Sequence, residues 1–229
     1  MRKTIAAALL ATLGGCEAPV GNLTDNGSNA AENQATAPAT VRFVNSRQNA
    51  LSDNLRRFYI DFSFDYPPNW AVTPPRTDGT ERNFVRVAAP AIDGYEPFSF
   101  HVGFATGSGD AETDRRDIGQ ALPQVAERFG ATLENYRVAS TGRARVGAYD
   151  SWNWRFSATA PGLEGGPPAR INGRGDIILP PGERRGVLII TLVTDRTDEV
   201  WTPAEVGEVG TLKAVYDSFR LGAADRARN

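Results

Sequence analysis

Few side chains in this sequence could do acid–base or metal chemistry, and their spacing restricts them further. His101 is the only histidine, so one chain can form neither a two-histidine metal site nor a two-histidine acid–base pair. Asp61 and Asp65 alternate with apolar residues and share one face of a predicted strand. Four residues along a strand separate two carboxylates by about 13 Å, too far for a shared metal ion or a glycosidase pair. We therefore interpret both as solvated acids on an outer face.

His101 lies in the alternating segment FSFHVGFAT, on the face opposite the phenylalanines and on the same side as Ser99. We interpret it as a sheet histidine, and a ligand or pH-sensing role is the alternative. A Ser-His-Asp triad would have to use His101, and no serine lies in a G-x-S-x-G turn. Residues 106–110, TGSGD, lack the Lys-Ser/Thr of a phosphate-binding loop. The sequence therefore predicts no catalytic residue, no metal site and no cofactor.

Two further motifs each have a structural alternative. Trp152 and Trp154 share one face of a predicted strand, where they could form a sugar-stacking platform or pack beneath a helix. We favour packing. Residues 174–176 spell RGD, the tripeptide of integrin ligands, but they fall inside a predicted strand and we interpret the match as chance.

Cys16 is the only cysteine, so the chain has neither an intrachain disulfide nor a cysteine-based zinc site. It follows Arg2, Lys3 and an apolar run at residues 4–13 that suits a secretory signal and is too short to span a bilayer. The segment LGGC resembles the bacterial lipobox. The resemblance implies that Cys16 is acylated, that residues 1–15 are removed and that the protein is stably attached to a membrane. A plain secretory signal is the alternative.

Composition divides the rest of the chain. Residues 16–40 contain no aromatic residue and are rich in Asn, Ala, Thr and Gly, which predicts a disordered tether. Residues 41–222 have the composition of one globular domain, and residues 223–229 are predicted to be a flexible tail. The net charge of −2 gives no long-range attraction to nucleic acid, which we do not expect as a partner.

Hydrophobic periodicity predicts the elements that position these residues. Residues 113–130 have helical spacing, and Pro123 predicts either a kinked helix or two short ones. Thr202, Pro203 and Glu205 form a capping box that predicts the start of a second helix. Residues 187–193 are apolar at nearly every position, which predicts a central strand with helices on both sides of the sheet. The predicted core is Phe62, Phe64, Phe100, Phe104, Trp154, Phe156, Ile189 and Leu192.

The order of these elements, with FSFDYPPNW at the start, VGAYD before a long strand and SFRL after the last helix, resembles the PsbP-like family over about residues 55–221. The resemblance implies an α+β fold, a three-layer α/β/α sandwich around a mainly antiparallel sheet. It also implies a protein that binds partners rather than one that catalyses. The family shares no catalytic residue set, so no site residue is transferred from it.

Two function hypotheses follow. The first is a lipid-anchored, non-enzymatic binding or scaffold module of the bacterial cell envelope, which recognises an envelope protein or a small ligand. The second is an envelope hydrolase or carbohydrate-active enzyme that works through carboxylates. In Gram-negative sorting, an aspartate directly after the lipidated cysteine commonly retains a protein in the inner membrane. Glu17 departs from that signal, so we expect the periplasmic face of the outer membrane if the host is Gram-negative.

Overall fold

The computed structural model describes residues 39–75, 82–162 and 167–222. The predicted signal peptide, the predicted lipidation site Cys16, most of the predicted tether and the predicted tail lie outside these ranges. Within the ranges, the helices are α1 Asp53–Arg57, α2 Ala111–Gly130 and α3 Gly210–Ser218. The strands are β1 Val41–Val44, β2 Phe62–Tyr66, β3 Ala71–Thr73, β4 Asn83–Ala88, β5 Phe98–Thr106, β6 Glu134–Val146, β7 Tyr149–Ala160, β8 Ala169–Ile178, β9 Arg185–Thr194 and β10 Arg220–Leu221. None of the helices described is long and apolar enough to cross a membrane.

Seven strands form one antiparallel sheet in the order β3-β4-β5-β9-β8-β7-β6. The apolar strand β9 lies at its centre, between β5 and β8, as its composition predicts. A smaller antiparallel sheet has the order β1-β2-β10. The predicted α+β class with mainly antiparallel pairing is therefore confirmed.

The large sheet is covered on both faces, although not in the way that a pure α/β/α sandwich requires. Helix α2 buries Leu122, Ala126 and Phe129 against one face. The other face is covered by α3 together with the small sheet, where Phe64 of β2 lies 5.0 Å from Phe100 of β5, measured between ring centroids. The second outer layer therefore combines a helix with three strands. The sequence did not predict this layer because β1 and β10 join β2 through long-range pairing.

The two predicted helices differ from expectation, the first in its shape and the second in where it begins. Helix α2 is continuous, and Pro123 lies on its exposed face, where solvent can replace the one missing backbone hydrogen bond. The capping box is present, because the Glu205 carboxylate accepts hydrogen bonds from the N–H of Trp201 and of Thr202. It caps only a 3₁₀ turn, since Gly207 follows with a φ of +74° and α3 begins later.

The predicted core is mostly correct. Six of its residues are buried, and two are only partly buried and pack against the buried clusters, Phe104 on β5 and Leu192 on β9.

Two aromatic rings of β7 lie across glycines of β8. Phe156 pairs with Gly173, and Trp154 pairs with Gly175. A Cβ atom added to Gly173 would lie 2.1 Å from Cζ of Phe156, and one added to Gly175 would lie 2.2 Å from Cζ2 of Trp154. The absence of side chains on β8 at these points lets both rings pack between the sheet and α2.

Candidate functional site

A cleft of ≈500 Å³ lies between the first turns of α2, the β6–β7 hairpin and the turn after β8. This volume is within the range of small-molecule sites. The wall formed by α2 is held in place by two carboxylates. Asp110 caps the helix by accepting a hydrogen bond from the N–H of Thr113 at 2.7 Å, and the buried Asp114 accepts one from the N–H of Ser108 at 2.6 Å.

Arginines and aromatic rings line the opposite wall of this cleft. The guanidinium of Arg143 lies 4.4 Å from the ring centroid of Trp152, a cation–π contact, and its Nη2 lies 3.7 Å from a carboxylate oxygen of Asp150. Arg145 donates one hydrogen bond, to the carbonyl oxygen of Ala148 at 3.2 Å. Tyr149 completes this wall. The arrangement offers a ring surface beside positive charge.

The apolar part of the cleft comes from elements distant in the sequence. Helix α2 supplies one large aliphatic side chain, and the end of β8 with its following turn supplies the other large apolar residues. These residues are Ile118, Ile177, Ile178, Leu179, Pro180 and Pro181.

The two tryptophans predicted to share a face have different environments. Trp154 is fully buried, with its ring centroid 5.9 Å from that of Phe129 on α2, so its predicted packing beneath a helix is confirmed. Trp152 is only partly buried and lines the cleft. It contacts α2 at Gly119, where an added Cβ would lie 2.8 Å from Cη2 of Trp152. The packing interpretation therefore holds only in part for Trp152, which also exposes part of its surface in the cleft.

His101 lies where its strand pattern predicts, on the face opposite the phenylalanines, with its Nε2 3.1 Å from Oγ of Ser99. Burial, together with the positive charge of Arg86, lowers the pKa of His101 to about 3. Arg86 itself forms an ion pair with Glu96. The imidazole is therefore neutral at physiological pH and a weak general base towards Ser99.

The interpretation of Asp61 and Asp65 as solvated acids was only partly correct, because both carboxylates are hydrogen-bonded. Asp61 accepts a hydrogen bond from the Tyr59 hydroxyl at 2.6 Å. Asp65 accepts two from Arg42, from Nε at 2.7 Å and from Nη2 at 3.1 Å. Both are partly buried. Arg42 faces Asp65 because β1 pairs with β2, a register that no local pattern in the sequence specifies.

Sequence reasoning missed a buried polar cluster on the other face of β7 and β8. Residues 174–176, which we interpreted as a chance tripeptide, place Arg174 and Asp176 side by side in the interior, with both side chains at most 1% exposed. Asp176 accepts hydrogen bonds from the side chains of Ser151, Asn153 and Tyr216. Burial raises the pKa of Tyr216, and the negative charge of Asp176 raises it further, so Tyr216 remains a donor.

The same cluster holds the segment before α3 against the sheet. Arg174 donates to a carboxylate oxygen of Glu208 at 2.8 Å, and Arg155 donates to the same oxygen at 2.5 Å. Nη1 of Arg155 also lies 2.9 Å from the carbonyl oxygens of Pro203 and Val206. Burial lowers the pKa of Arg155, assisted by the charge of Arg174, while Glu208 opposes the shift. Alternating polar residues on both strands were the available signal. We interpret the cluster as structural, since its groups are satisfied by one another.

Among the residues in the described ranges, no three His, Cys, Asp or Glu side chains converge in a way that could hold a metal ion.

Comparison with known proteins finds no matching family model and no matching curated protein. Solved structures similar to this chain include cyanobacterial PsbP (CyanoP) from Synechocystis sp. PCC 6803, with 10% identity, a TM-score of 0.46 and coverage of 84% of this chain and 98% of that one. A structure from Bacteroides thetaiotaomicron VPI-5482 has 15% identity and a TM-score of 0.42, over 72% of this chain and 46% of that one. LpqN, described as involved in cell envelope biogenesis of Mycobacterium tuberculosis, has 12% identity and a TM-score of 0.40, over 70% and 82%.

PsbP gives its name to the family that the sequence resembles. The α+β class rests on the sheets and helices described above.

Proposed function

We propose that this chain is a lipid-anchored, non-enzymatic binding module of the bacterial cell envelope that holds a small ligand in the cleft beside α2. The observation that carries the proposal is the lining of this cleft. It combines the partly exposed ring of Trp152 and an aliphatic wall with the guanidinium groups of Arg143 and Arg145. A few polar groups on an otherwise apolar concave surface are typical of ligand-binding sites.

The LGGC segment, which ends at Cys16, supports a location in the cell envelope. The 24 residues from position 17 to position 40 would span about 80 Å at full stretch, enough to hold the domain away from the membrane surface. In a Gram-negative host, Glu17 at the position after the lipidated cysteine supports the outer membrane. If the protein fractionates solely with inner-membrane markers on a sucrose gradient, that part of the proposal is wrong.

The side chains that could catalyse support binding rather than hydrolysis. His101 is neutral and does not line the cleft. Asp114, one of the carboxylates of the cleft, is buried and accepts a backbone hydrogen bond, while Asp150 is exposed beside Arg143. A glycosidase needs one carboxylic acid and one carboxylate on opposite sides of the scissile bond. Asp114 does not suit either role, because its carboxylate is buried and already hydrogen-bonded to its own loop.

Retention of small molecules from an envelope extract tests the proposal. The purified chain is incubated with the extract and washed, and the retained compounds are identified by mass spectrometry. Trp152→Ala removes the ring in the cleft. Trp201→Ala is the matched control, because Trp201 is 59% exposed and does not line the cleft.

We expect a compound that the wild type and Trp201→Ala retain, that Trp152→Ala loses, and that is recovered chemically unchanged. Conversion of the compound would support the hydrolase alternative. Equal retention by both variants, or no retained compound, would contradict the proposed site.

A further inference from the structure

We infer that the ligand of the cleft is an organic phosphate, a phosphate group attached to a ring or an acyl portion. This inference rests on the proposed function and deepens it. It is carried by three arginines that line one concave surface, Arg115 on α2 together with Arg143 and Arg145 on β6.

The charges of the cleft do not cancel one another. Among the described residues, Arg143 is the one cleft arginine with a carboxylate partner, Asp150, and their atoms are 3.7 Å apart with both side chains exposed. Within the ranges that the structure describes, no carboxylate lies within 4.0 Å of Arg115 or of Arg145. Most N–H groups of these two arginines therefore remain available to a ligand.

The carboxylates of the cleft do not oppose an anion strongly. Asp114 directs one oxygen towards the N–H of Ser108 and is buried, and its other oxygen is packed against Gly107, where an added Cβ would lie 2.6 Å away. Asp150 is 73% exposed at the rim, where solvent screens its charge.

Three guanidinium groups match a phosphate better than a carboxylate. A planar guanidinium donates two parallel hydrogen bonds to an anion, so one arginine satisfies one carboxylate. A phosphate group has several acceptor oxygens and up to two negative charges, so it can accept from several arginines that approach from different sides. Arg115 and Arg145 approach from different elements, which favours the phosphate.

The apolar wall of the cleft indicates the chemistry of the part of the ligand that carries the phosphate group. Trp152, Ile118 and Leu179 lie in the same cleft as the arginines. A free inorganic anion would leave this surface in water, whereas a ring or acyl portion would bury it. A soluble phosphorylated compound and a phospholipid headgroup share this chemistry, and the experiment distinguishes them.

Isothermal titration calorimetry with four probes tests the inference. The probes are phenyl phosphate, inorganic phosphate, benzoate and the neutral phenyl glucoside. The test variant combines Arg115→Gln with Arg145→Gln. The control combines Arg116→Gln with Arg137→Gln, which also removes one arginine from α2 and one from β6, at exposed positions outside the cleft.

We expect phenyl phosphate to bind the wild type and the control more tightly than the other probes, and to bind the test variant about tenfold or more weakly. If benzoate or phenyl glucoside binds as tightly and depends on Trp152, the cleft binds ligands and only the phosphate assignment is wrong. Absence of phenyl phosphate binding, or equal binding by the two double variants, would overturn the inference.

Competition by vesicles separates the two sources of phosphate. Cys16→Ala protein is used so that no acyl chain inserts. If phosphatidylcholine vesicles containing phosphatidic acid displace phenyl phosphate while pure phosphatidylcholine vesicles do not, the ligand is a lipid headgroup. If neither displaces it, the bound phosphate belongs to a soluble compound. Displacement by both would contradict recognition of a phosphate monoester.

Discussion

The guanidinium of Arg174 and the carboxylate of Asp176 lie side by side on β8, joined by an Nε–Oδ2 hydrogen bond of 2.7 Å and an Nη2–Oδ1 hydrogen bond of 3.1 Å. The Tyr216 ring centroid lies 4.3 Å from the same guanidinium. A buried ion pair is costly to desolvate and is stable only when its remaining donors and acceptors find partners. Here they do, which explains how two charges are accommodated between the sheet and α3.

Removing one partner of this ion pair should destabilise the domain strongly. Asp176→Ala leaves the Arg174 charge buried and should lower the free energy of unfolding by about 3–5 kcal/mol. Replacing both partners, Arg174→Met with Asp176→Leu, removes the unpaired charge and should cost less than the single change. Urea denaturation monitored by circular dichroism measures both. A double variant less stable than the single one would contradict this account.

The large aromatic side chains of the core should dominate stability. Phe64→Ala or Trp154→Ala empties a fully buried site and should cost about 3–5 kcal/mol of a total of about 5–15. The exposed Gln120 on α2 is the control, and Gln120→Ala should change stability by about 0.5 kcal/mol or less. Thermal melting tests the prediction. Similar melting temperatures for Phe64→Ala and the control would contradict the assigned core.

His101 should make the domain less stable in acid. Its pKa is about 3 in the folded state against 6.5 in the unfolded chain, so the unfolded state binds more protons between these values. The stability contributed by the neutral imidazole is fully present above pH 6.5 and is lost as the pH falls towards 3. For one proton, the slope is at most about 1.4 kcal/mol per pH unit.

His101→Gln should flatten this dependence. Urea unfolding of the wild type and the variant at pH values from 5 to 7, spanning the upper part of the interval given by the pKa shift, measures the difference. Parallel slopes in the two proteins would show that His101 titrates alike in the folded and unfolded states.

Lipidation of Cys16 remains a prediction from the LGGC segment. Cells grown with radiolabelled palmitate should label the wild-type protein, whereas Cys16→Ala should yield unlabelled protein released from the membrane. Both proteins must be detected by immunoblot as a control for expression. Equal labelling of the two would rule out acylation at this cysteine.

Local patterns predicted the elements better than they predicted the contacts between them. Alternation predicts β5 with its observed bounds, Phe98–Thr106, and an apolar run places β9 in the centre of the sheet. The cleft could not be predicted, because Arg115, Arg143 and Leu179 come from three distant segments. The buried role of Asp176 was hidden for the same reason: most of its partners lie on β7 and α3, and a charged residue in a strand usually faces solvent.

The contact of two β7 rings with two β8 glycines constrains how this sequence can change. Phe156 and Gly173 face each other across the strands, as do Trp154 and Gly175, and neither glycine can gain a side chain while its ring stays in place. Substitutions at these positions should therefore occur in pairs, with a change at the glycine accompanied by a change at the ring. A relative with alanine or a larger residue at the site of Gly173 should carry a smaller residue at the site of Phe156, and the same covariation should couple Gly175 to Trp154.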